Sequence, residues 1–181
     1  MGNSTSSDKR VSDINAESAR PRVIVAEDEA LIRLDLVELL EDQGYEVVAQ
    51  ASDGEEAVSL ARELEPDLVV MDVKMPKMDG ITAADKIAEE RICAVVMLTA
   101  FSQRDLIERA KEAGAMAYVV KPFDVSDVVP AIEIALARFQ EIRAVEDEIA
   151  DLEERLESRK LVDQAKGMLQ SSLGLTEPEA F

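Results

Sequence analysis

The stretch that decides the fold is Leu68-Val69-Val70-Met71-Asp72-Val73-Lys74-Met75-Pro76. Four apolar residues run directly into a carboxylate, and a lysine, a proline and then Asp79-Gly80 follow. A short apolar run that ends at turn residues predicts a buried strand. In an open α/β sheet, ligands bind at the carboxyl ends of the strands. Asp72 is therefore the first candidate for a functional side chain.

The same pattern recurs along the chain, where short apolar runs alternate with amphipathic helical segments. It predicts strands over residues 22–26, 46–51, 68–72, 93–98 and 116–120, with a helix after each of them. Short connections between alternating strands and helices require a parallel sheet with helices on both faces and right-handed crossovers. The predicted fold class is α/β, a five-stranded doubly wound sheet of order 2-1-3-4-5 as in flavodoxin-like proteins.

Glycines and one serine mark predicted helix ends. Gly44 and Gly114 follow the first and fourth helices, in the position where a left-handed residue ends a helix. Ser102 is placed to cap the start of the fourth helix.

Composition excludes several classes of function. The net charge of −19 argues against a broad surface for nucleic acid or anionic membrane. The chain has no histidine, which removes histidine-bound metals, histidine bases and an internal phosphohistidine. Any metal must be bound by oxygen atoms, which favours Mg²⁺ or another hard cation. The single cysteine, Cys93, permits no disulfide within the chain and fits a reducing, cytoplasmic location, and no apolar run is long enough to span a membrane.

Three segments flank or follow the predicted sheet domain, which covers residues 21–139. Residues 1–20 are polar and serine-rich and are expected to be disordered. Residues 140–160 are expected to form a helical coiled-coil linker, and residues 161–181 begin a further helical module. The capping box at 176–179 starts a helix that has little chain left, so we expect the sequence to end inside this module.

The long helix that begins near Ser126 carries a heptad pattern. Apolar residues recur every seven positions, and a second set shares their face after a one-residue slip: Val128, Ala135, Ile142, Ile149 and Leu156, with Ile132, Phe139, Val145 and Leu152. This pattern indicates a coiled-coil seam of irregular register and a possible homodimer through 140–160. The alternative is one solvated helix that packs only on its own domain.

Five polar side chains fall at the carboxyl ends of neighbouring predicted strands. Glu27 and Asp28 follow strand 1, Asp72 ends strand 3, Thr99 ends strand 4 and Lys121 follows strand 5. Neighbouring strands lie about 4.8 Å apart, so the three carboxylates converge, and their repulsion is relieved by a bound cation. Three acids, a hydroxyl and an ammonium suit phosphoryl transfer to a carboxylate nucleophile. Each residue taken alone is more commonly a helix cap, a turn residue or a surface charge, and it is their combination at these strand ends that indicates a site.

These motifs resemble the receiver domain of two-component response regulators. The matching stretches are Ala26-Glu27-Asp28-Glu29, Met71-Asp72-Val73-Lys74-Met75-Pro76, Asp79-Gly80, Leu98-Thr99-Ala100 and Lys121-Pro122-Phe123. The resemblance implies that Asp72 accepts a phosphoryl group from a sensor histidine kinase. It also implies that Mg²⁺ is bound by Asp28, Asp72 and the backbone carbonyl of Lys74, with Glu27 assisting.

The same resemblance assigns the remaining residues of the pocket. Lys121 would pair with a phosphoryl oxygen, and the Lys121–Pro122 peptide bond would be cis. Thr99 would move towards the phosphoryl group, and Tyr118 would follow by turning inward.

The last segment resembles the opening of an ANTAR output domain. The match lies in Lys160-Leu161-Val162-Asp163-Gln164-Ala165-Lys166-Gly167-Met168-Leu169 and in Thr176-Glu177-Pro178-Glu179-Ala180-Phe181. That family binds RNA hairpins in transcription antitermination through a three-helix module. Only the first helix and the start of the second are present, and the basic residues expected further on are missing. RNA binding is therefore expected of the complete module.

Three other functions compete with a phosphorylation-switched regulator that is not an enzyme. A phosphohydrolase of the haloacid dehalogenase type would carry a second aspartate two positions after the nucleophile, where this chain has Lys74. A DNA-binding regulator would need a helix-turn-helix after residue 140, where the acidic heptads lie. A constitutive coiled-coil scaffold would not need the five-residue pocket.

Overall fold

The computed structural model of the chain describes residues 20–100 and 104–173. The predicted tail before residue 20, the Ser102 cap and the capping box at 176–179 lie outside these ranges. The strands are β1 (Arg22–Ala26), β2 (Glu46–Ala51), β3 (Leu68–Asp72), β4 (Ala94–Thr99) and β5 (Ala117–Val120). The helices are α1 (Ala30–Asp42), α2 (Gly54–Leu64), α3 (Gly80–Glu89), α4 (Arg104–Glu112) and α5 (Val125–Leu173).

The five strands form one parallel sheet of order β2-β1-β3-β4-β5, which confirms the predicted fold. Every residue of β3 and β4 is buried, because these central strands are covered on both faces. The register pairs Ala26 with Met71 and Asp72 with Leu98. The carboxyl ends of β1, β3 and β4 are therefore level with one another at one edge of the sheet.

Helix ends follow local residue chemistry. Asp53 caps α2 by accepting a hydrogen bond from the backbone N–H of Glu56, and Asp79 caps α3 through Thr82. Gly44 and Gly114 adopt left-handed φ values of 88° and 82° just after α1 and α4, as predicted.

Only some of the apolar residues of helix α1 are buried against the sheet. Leu36, Val37 and Leu40 are buried against the sheet, whereas Leu31 and Leu34 are 79% and 59% exposed. The apolar residues that predict this helix from the sequence are Leu31, Leu34, Leu36, Val37, Leu39 and Leu40. The structure shows that only the inward part of that set packs.

The chain divides into two compact units, one ending at Leu136 and the other beginning at Ala137. Within the first unit, α5 buries Val128, Ile132 and Ala135 completely. Within the second unit, the helix continues without a break to Leu173, and the seam residues are about half exposed: Ile142, Val145, Ile149, Leu152 and Leu156. Among the described residues, none of the helices combines the length and the apolar character needed to cross a membrane.

Candidate functional site

Three carboxylates meet at the edge of the sheet where β1 and β3 end. Glu27 and Asp28 directly follow β1, and Asp72 is the last residue of β3. One carboxylate oxygen from each residue lies within 4.8 Å of the other two. Glu27 is completely buried and Asp72 is 7% exposed, whereas Asp28 is exposed. The predicted convergence of the three acids is therefore present in the structure.

Lys121 enters this cluster from beyond the end of β5. Its Nζ atom lies 2.5 Å from Glu27 Oε2 and 3.1 Å from Asp72 Oδ2, and its side chain is only 13% exposed. Its backbone N–H donates to the carbonyl of Thr99 at 2.8 Å, and the Lys121–Pro122 peptide bond is cis, as predicted. Three carboxylates against one contacting ammonium leave a net charge of −2 when all four groups are ionised.

Burial and pairing act in opposite directions on the two innermost groups. Burial raises the pKa of the Glu27 carboxyl above its ordinary value, and the hydrogen bond from Lys121 only partly offsets this effect. Burial alone would lower the pKa of Lys121, but the hydrogen bond to Glu27 and the charge of Asp72 raise it above its ordinary value. The lysine therefore stays protonated. The ionised form of the buried glutamate is the less favourable of the two charges, because its burial is only partly compensated.

Asp28 and Asp72 line a pocket of about 200 Å³ at the carboxyl edge of the sheet. Thr99, which is 4% exposed, lies on one side, and Lys74 lies on the other. Its donors are carboxylate oxygens, and no histidine or thiol lines it. This donor set, with its excess negative charge, fits a hard divalent cation rather than zinc or copper.

Thr99 and Tyr118 share a second and much smaller cavity behind the pocket. It measures about 10 Å³, roughly the room that one water molecule needs, and its other lining residues are Val73, Met97, Ile107 and Ala110. The tyrosine is 45% exposed. Six of the seven residues assigned from the sequence line these two cavities, and the seventh, Glu27, contacts them through its ion pair with Lys121.

Residues 73–79 join β3 to α3, and the first two of them, Val73 and Lys74, line the pocket. The N–H of Val73 donates to the carbonyl of Leu98, and the N–H of Gly80 donates to the carbonyl of Val73, both at 2.9 Å. A Cβ atom on Gly80 would lie 2.0 Å from the backbone oxygen of Asp72. Glycine is therefore required for α3 to begin so close to the carboxylate-bearing strand.

Sequence reasoning missed three residues that hold the loops around this pocket. Arg33 of α1 donates a 2.5 Å hydrogen bond to the backbone carbonyl of Glu27. Lys77 forms an ion pair with Asp53 across 24 positions of sequence. A lysine inside a turn and an aspartate before a glycine look like ordinary surface and turn residues. No local signal in the sequence distinguishes them.

Comparison with known protein families matches two parts of the chain. Residues 23–133 match the response regulator receiver domain, and residues 150–181 match the ANTAR domain. The ANTAR match begins within the segment that the sequence pattern assigned to the coiled-coil linker.

Individual proteins similar to this chain include a transcriptional regulatory protein, a chemotaxis protein and a two-component response regulator. The chain is 63% identical over 168 residues to the transcriptional regulatory protein PdtaR of Mycobacterium tuberculosis, covering 92% of this chain and 82% of that protein. It is 39% identical over 116 residues to the chemotaxis protein CheY of Bacillus subtilis, covering 64% of this chain and 97% of that protein. A solved structure of a LuxR-family two-component response regulator from Aurantimonas sp. SI85-9A1 superposes with a TM-score of 0.62 at 36% identity, covering 66% of this chain and 86% of that one.

Proposed function

The chain belongs to the response regulators that carry a receiver domain followed by an ANTAR domain, and from this we propose that Asp72 is its phosphoacceptor. Proteins of this family are regulators rather than enzymes, so the phosphohydrolase alternative is wrong. The observation that carries the proposal is the contact of Lys121 Nζ with Asp72 Oδ2 inside a cluster of three carboxylates.

Phosphoryl transfer to Asp72 is a balanced substitution at phosphorus. A carboxylate oxygen of Asp72 attacks, the bond from phosphorus to the imidazole nitrogen of the donor breaks, and the leaving imidazole takes a proton from solvent. Because this chain has no histidine, the phosphohistidine must belong to another protein, which we infer to be a sensor histidine kinase. Lys121 is placed to pair with an oxygen of the transferred group, because it already contacts Asp72.

The proposed metal ligands are Asp28, Asp72 and the backbone carbonyl of Lys74, with Glu27 assisting. A bound Mg²⁺ would supply positive charge for the phosphoryl oxygens. The carboxylates of Asp28 and Asp72 offer oxygens, and exposed Asp28 leaves the site open to solvent. Glu27, which has no exposed surface, would also keep Lys121 in place by accepting its hydrogen bond.

We propose that Thr99 and Tyr118 transmit the change of charge. Thr99 lines both the acidic pocket and the small cavity that it shares with Tyr118. A cavity of about 10 Å³ cannot accept a phenol ring, so Tyr118 can turn inward only when Thr99 or α4 moves aside. Movement of Thr99 towards a phosphoryl group on Asp72 would create that space. The two positions of the tyrosine would then be populated according to the phosphorylation state.

The output proposed for this switch is the ANTAR module that residues 150–181 match. Its family match and the similarity to a transcriptional regulatory protein support binding of RNA hairpins and a role in antitermination. We infer a cytoplasmic location from that role, because the transcript is there. A parallel homodimer or another pairing through 140–160 would cover the half-exposed seam residues of α5.

Treatment with acetyl phosphate and Mg²⁺, followed by intact-mass measurement, tests the phosphoacceptor. The wild-type protein is expected to gain one phosphoryl group, and Asp72→Asn is expected to gain none. Asp85→Asn is a matched control, because Asp85 is an exposed aspartate on α3 outside the pocket. An equal gain on Asp72→Asn, or no gain on the wild type, would contradict the proposal.

A further inference from the structure

The middle of the 73–79 loop adopts an uncommon backbone turn. The N–H of Met78 donates to the carbonyl of Pro76 at 2.7 Å, which closes a three-residue turn around Lys77. Lys77 has a φ of 61°, in the left-handed region. A γ-turn with positive φ at a residue that carries a side chain is rare and strained. Such a conformation persists only where surrounding contacts determine it.

The contacts that hold this turn come from the beginning of α2. Lys77 Nζ lies 2.5 Å from Asp53 Oδ2, and the N–H of Gly54 donates to the carbonyl of Met78 at 3.1 Å. A Cβ atom on Gly54 would lie 2.3 Å from the Met78 oxygen. The backbone of the loop can therefore approach α2 this closely only because residue 54 is glycine.

Asp53 uses its two carboxylate oxygens for two different elements. Oδ1 accepts a 2.9 Å hydrogen bond from the N–H of Glu56 and so caps α2, while Oδ2 accepts from Lys77. Its side chain is 3% exposed, whereas that of Lys77 is 63% exposed. The hydrogen bonds from Lys77 and from the Glu56 amide hold the pKa of Asp53 below its ordinary value. A carboxylate fixed by its cap cannot rotate towards water, so loss of Lys77 leaves a buried oxygen without this partner.

We propose that Asp53 and Lys77 form a clasp that positions the 73–79 loop for metal binding. This inference rests on the proposed function, because Lys74 in that loop is the proposed source of a backbone carbonyl ligand. Lys77 is three residues further on, so release of the turn would free the segment between Val73, which is hydrogen-bonded to β4, and Gly80, which begins α3. Asp53 and Lys77 are positioning residues, because neither lines the acidic pocket.

The other proposed ligands are held independently of the clasp. Asp72 is the last residue of a fully buried strand, and Glu27 is fixed by Lys121 and by the contact of its carbonyl with Arg33. Loss of the clasp should therefore weaken metal binding while leaving the carboxylates in place. Removal of such supporting contacts at metal sites typically lowers affinity roughly 10- to 100-fold.

The test compares Lys77→Met and Asp53→Asn with the wild-type chain. The asparagine keeps an oxygen for the α2 cap but removes the charge that Lys77 requires. Mg²⁺ affinity is measured by isothermal titration calorimetry, and hydrogen–deuterium exchange is followed in peptides that cover 73–80. Both variants are expected to bind Mg²⁺ roughly tenfold more weakly or worse and to exchange faster in 73–80, with β3 and β4 unchanged.

Two controls separate positioning from general destabilisation. Lys77→Arg keeps the charge and should restore most of the affinity. Lys111→Met removes another exposed lysine, which forms a surface pair with Glu108, and should change neither measurement. If Asp53→Asn fails to fold, Lys77→Met decides the question, because Lys77 is mostly exposed.

The outcomes distinguish this inference from the function on which it rests. Equal Mg²⁺ affinity and equal exchange in the wild type and Lys77→Met would overturn the clasp and leave the phosphoacceptor proposal intact. A wild-type chain that neither binds Mg²⁺ nor accepts a phosphoryl group would overturn both proposals, whatever the exchange of 73–80.

Discussion

Glu27 Oε2 and Lys121 Nζ lie 2.5 Å apart, although 94 positions of sequence separate the two residues. Glu27 follows β1 and Lys121 follows β5, and two further strands, β3 and β4, lie between these strands in the sheet. The lysine side chain therefore reaches across the ends of β4 and β3. The ion pair therefore connects the carboxyl end of β1 with the carboxyl end of β5.

Replacement of Lys121 by methionine should destabilise the fold and make it dependent on a cation. Removing one partner from a buried ion pair typically costs about 3–5 kcal/mol, because the other charge is left without compensation. We expect the free energy of unfolding in urea to fall by about this amount without Mg²⁺ and to recover in part when Mg²⁺ is added. Arg62→Met, which breaks the exposed pair with Glu90, should cost less than about 1 kcal/mol. Equal losses in the two variants would contradict the assignment of Lys121 to a buried cluster.

Alanine should have opposite effects at two glycines. In Gly80→Ala the new Cβ would lie 2.0 Å from the Asp72 carbonyl oxygen, so α3 must shift, with a loss of stability of about 1–3 kcal/mol. In Gly167→Ala nothing lies within 4 Å, so the helix should gain about 0.5–1 kcal/mol. Thermal unfolding followed by circular dichroism measures both changes. A neutral Gly80→Ala variant would show that the close approach of α3 to β3 is wrong.

Cys93 should be unreactive in the folded protein. Burial raises the pKa of its thiol to about 12, and only 2% of the residue is exposed. Since the thiolate is the reactive form, iodoacetamide at pH 8 should leave the native chain unmodified. The same reagent should modify the thiol fully in guanidinium chloride, as intact mass would show. Rapid modification of the native chain would place Cys93 at the surface instead.

Asp124 should contribute stability that acid removes. Hydrogen bonds from the hydroxyl and the N–H of Ser126 hold the pKa of the Asp124 carboxyl below its ordinary value of 3.8. A carboxyl that binds protons more weakly when folded stabilises the protein above the unfolded pKa, and this contribution disappears as the pH falls through the lower folded value. Asp124→Ala should therefore be less stable than the wild type at neutral pH. Urea unfolding at successive pH values below 3.8 should show the free energies of unfolding of the two proteins converging. A constant difference down to the lowest pH would argue against a contribution from the ionised Asp124 carboxylate.

Charged residues on the α5 seam should abolish any self-association through 140–160. Ile149 and Leu152 are about half exposed on the chain, and lysines there would oppose a second copy. Sedimentation equilibrium should show a shift towards monomer for the double variant Ile149→Lys with Leu152→Lys. The double variant Asp147→Asn with Glu154→Gln changes the net charge by the same two units on the outer face and should associate as the wild type does. A monomeric wild type at every concentration would contradict the proposed dimer.

The sequence was sufficient for the sheet and for the residues at its edge. Strands such as β3 are fully buried on both faces, so they appear as continuous apolar runs that can be read without tertiary information. Their carboxyl ends share one edge in any parallel sheet, which is why Glu27, Asp72 and Lys121 could be grouped from spacing alone.

Contacts between side chains of distant loops could not be predicted in this way. The Asp53–Lys77 pair depends on a left-handed φ at a lysine, which residue propensities would have placed elsewhere. The exposure of Leu31 and Leu34 could not be predicted for a different reason: periodicity shows which face of a helix is apolar but not how far the sheet covers that face.

Glu27 and Asp28 are neighbours in sequence, yet the first has no exposed surface and the second faces solvent. A cation bound beside Asp28 could arrive and depart without any opening of the core. The lifetime of the proposed phosphorylated state would then be set by hydrolysis of the acyl phosphate on Asp72 rather than by local unfolding of the protein. A mutation that only stabilises the fold should therefore leave the rate of dephosphorylation unchanged.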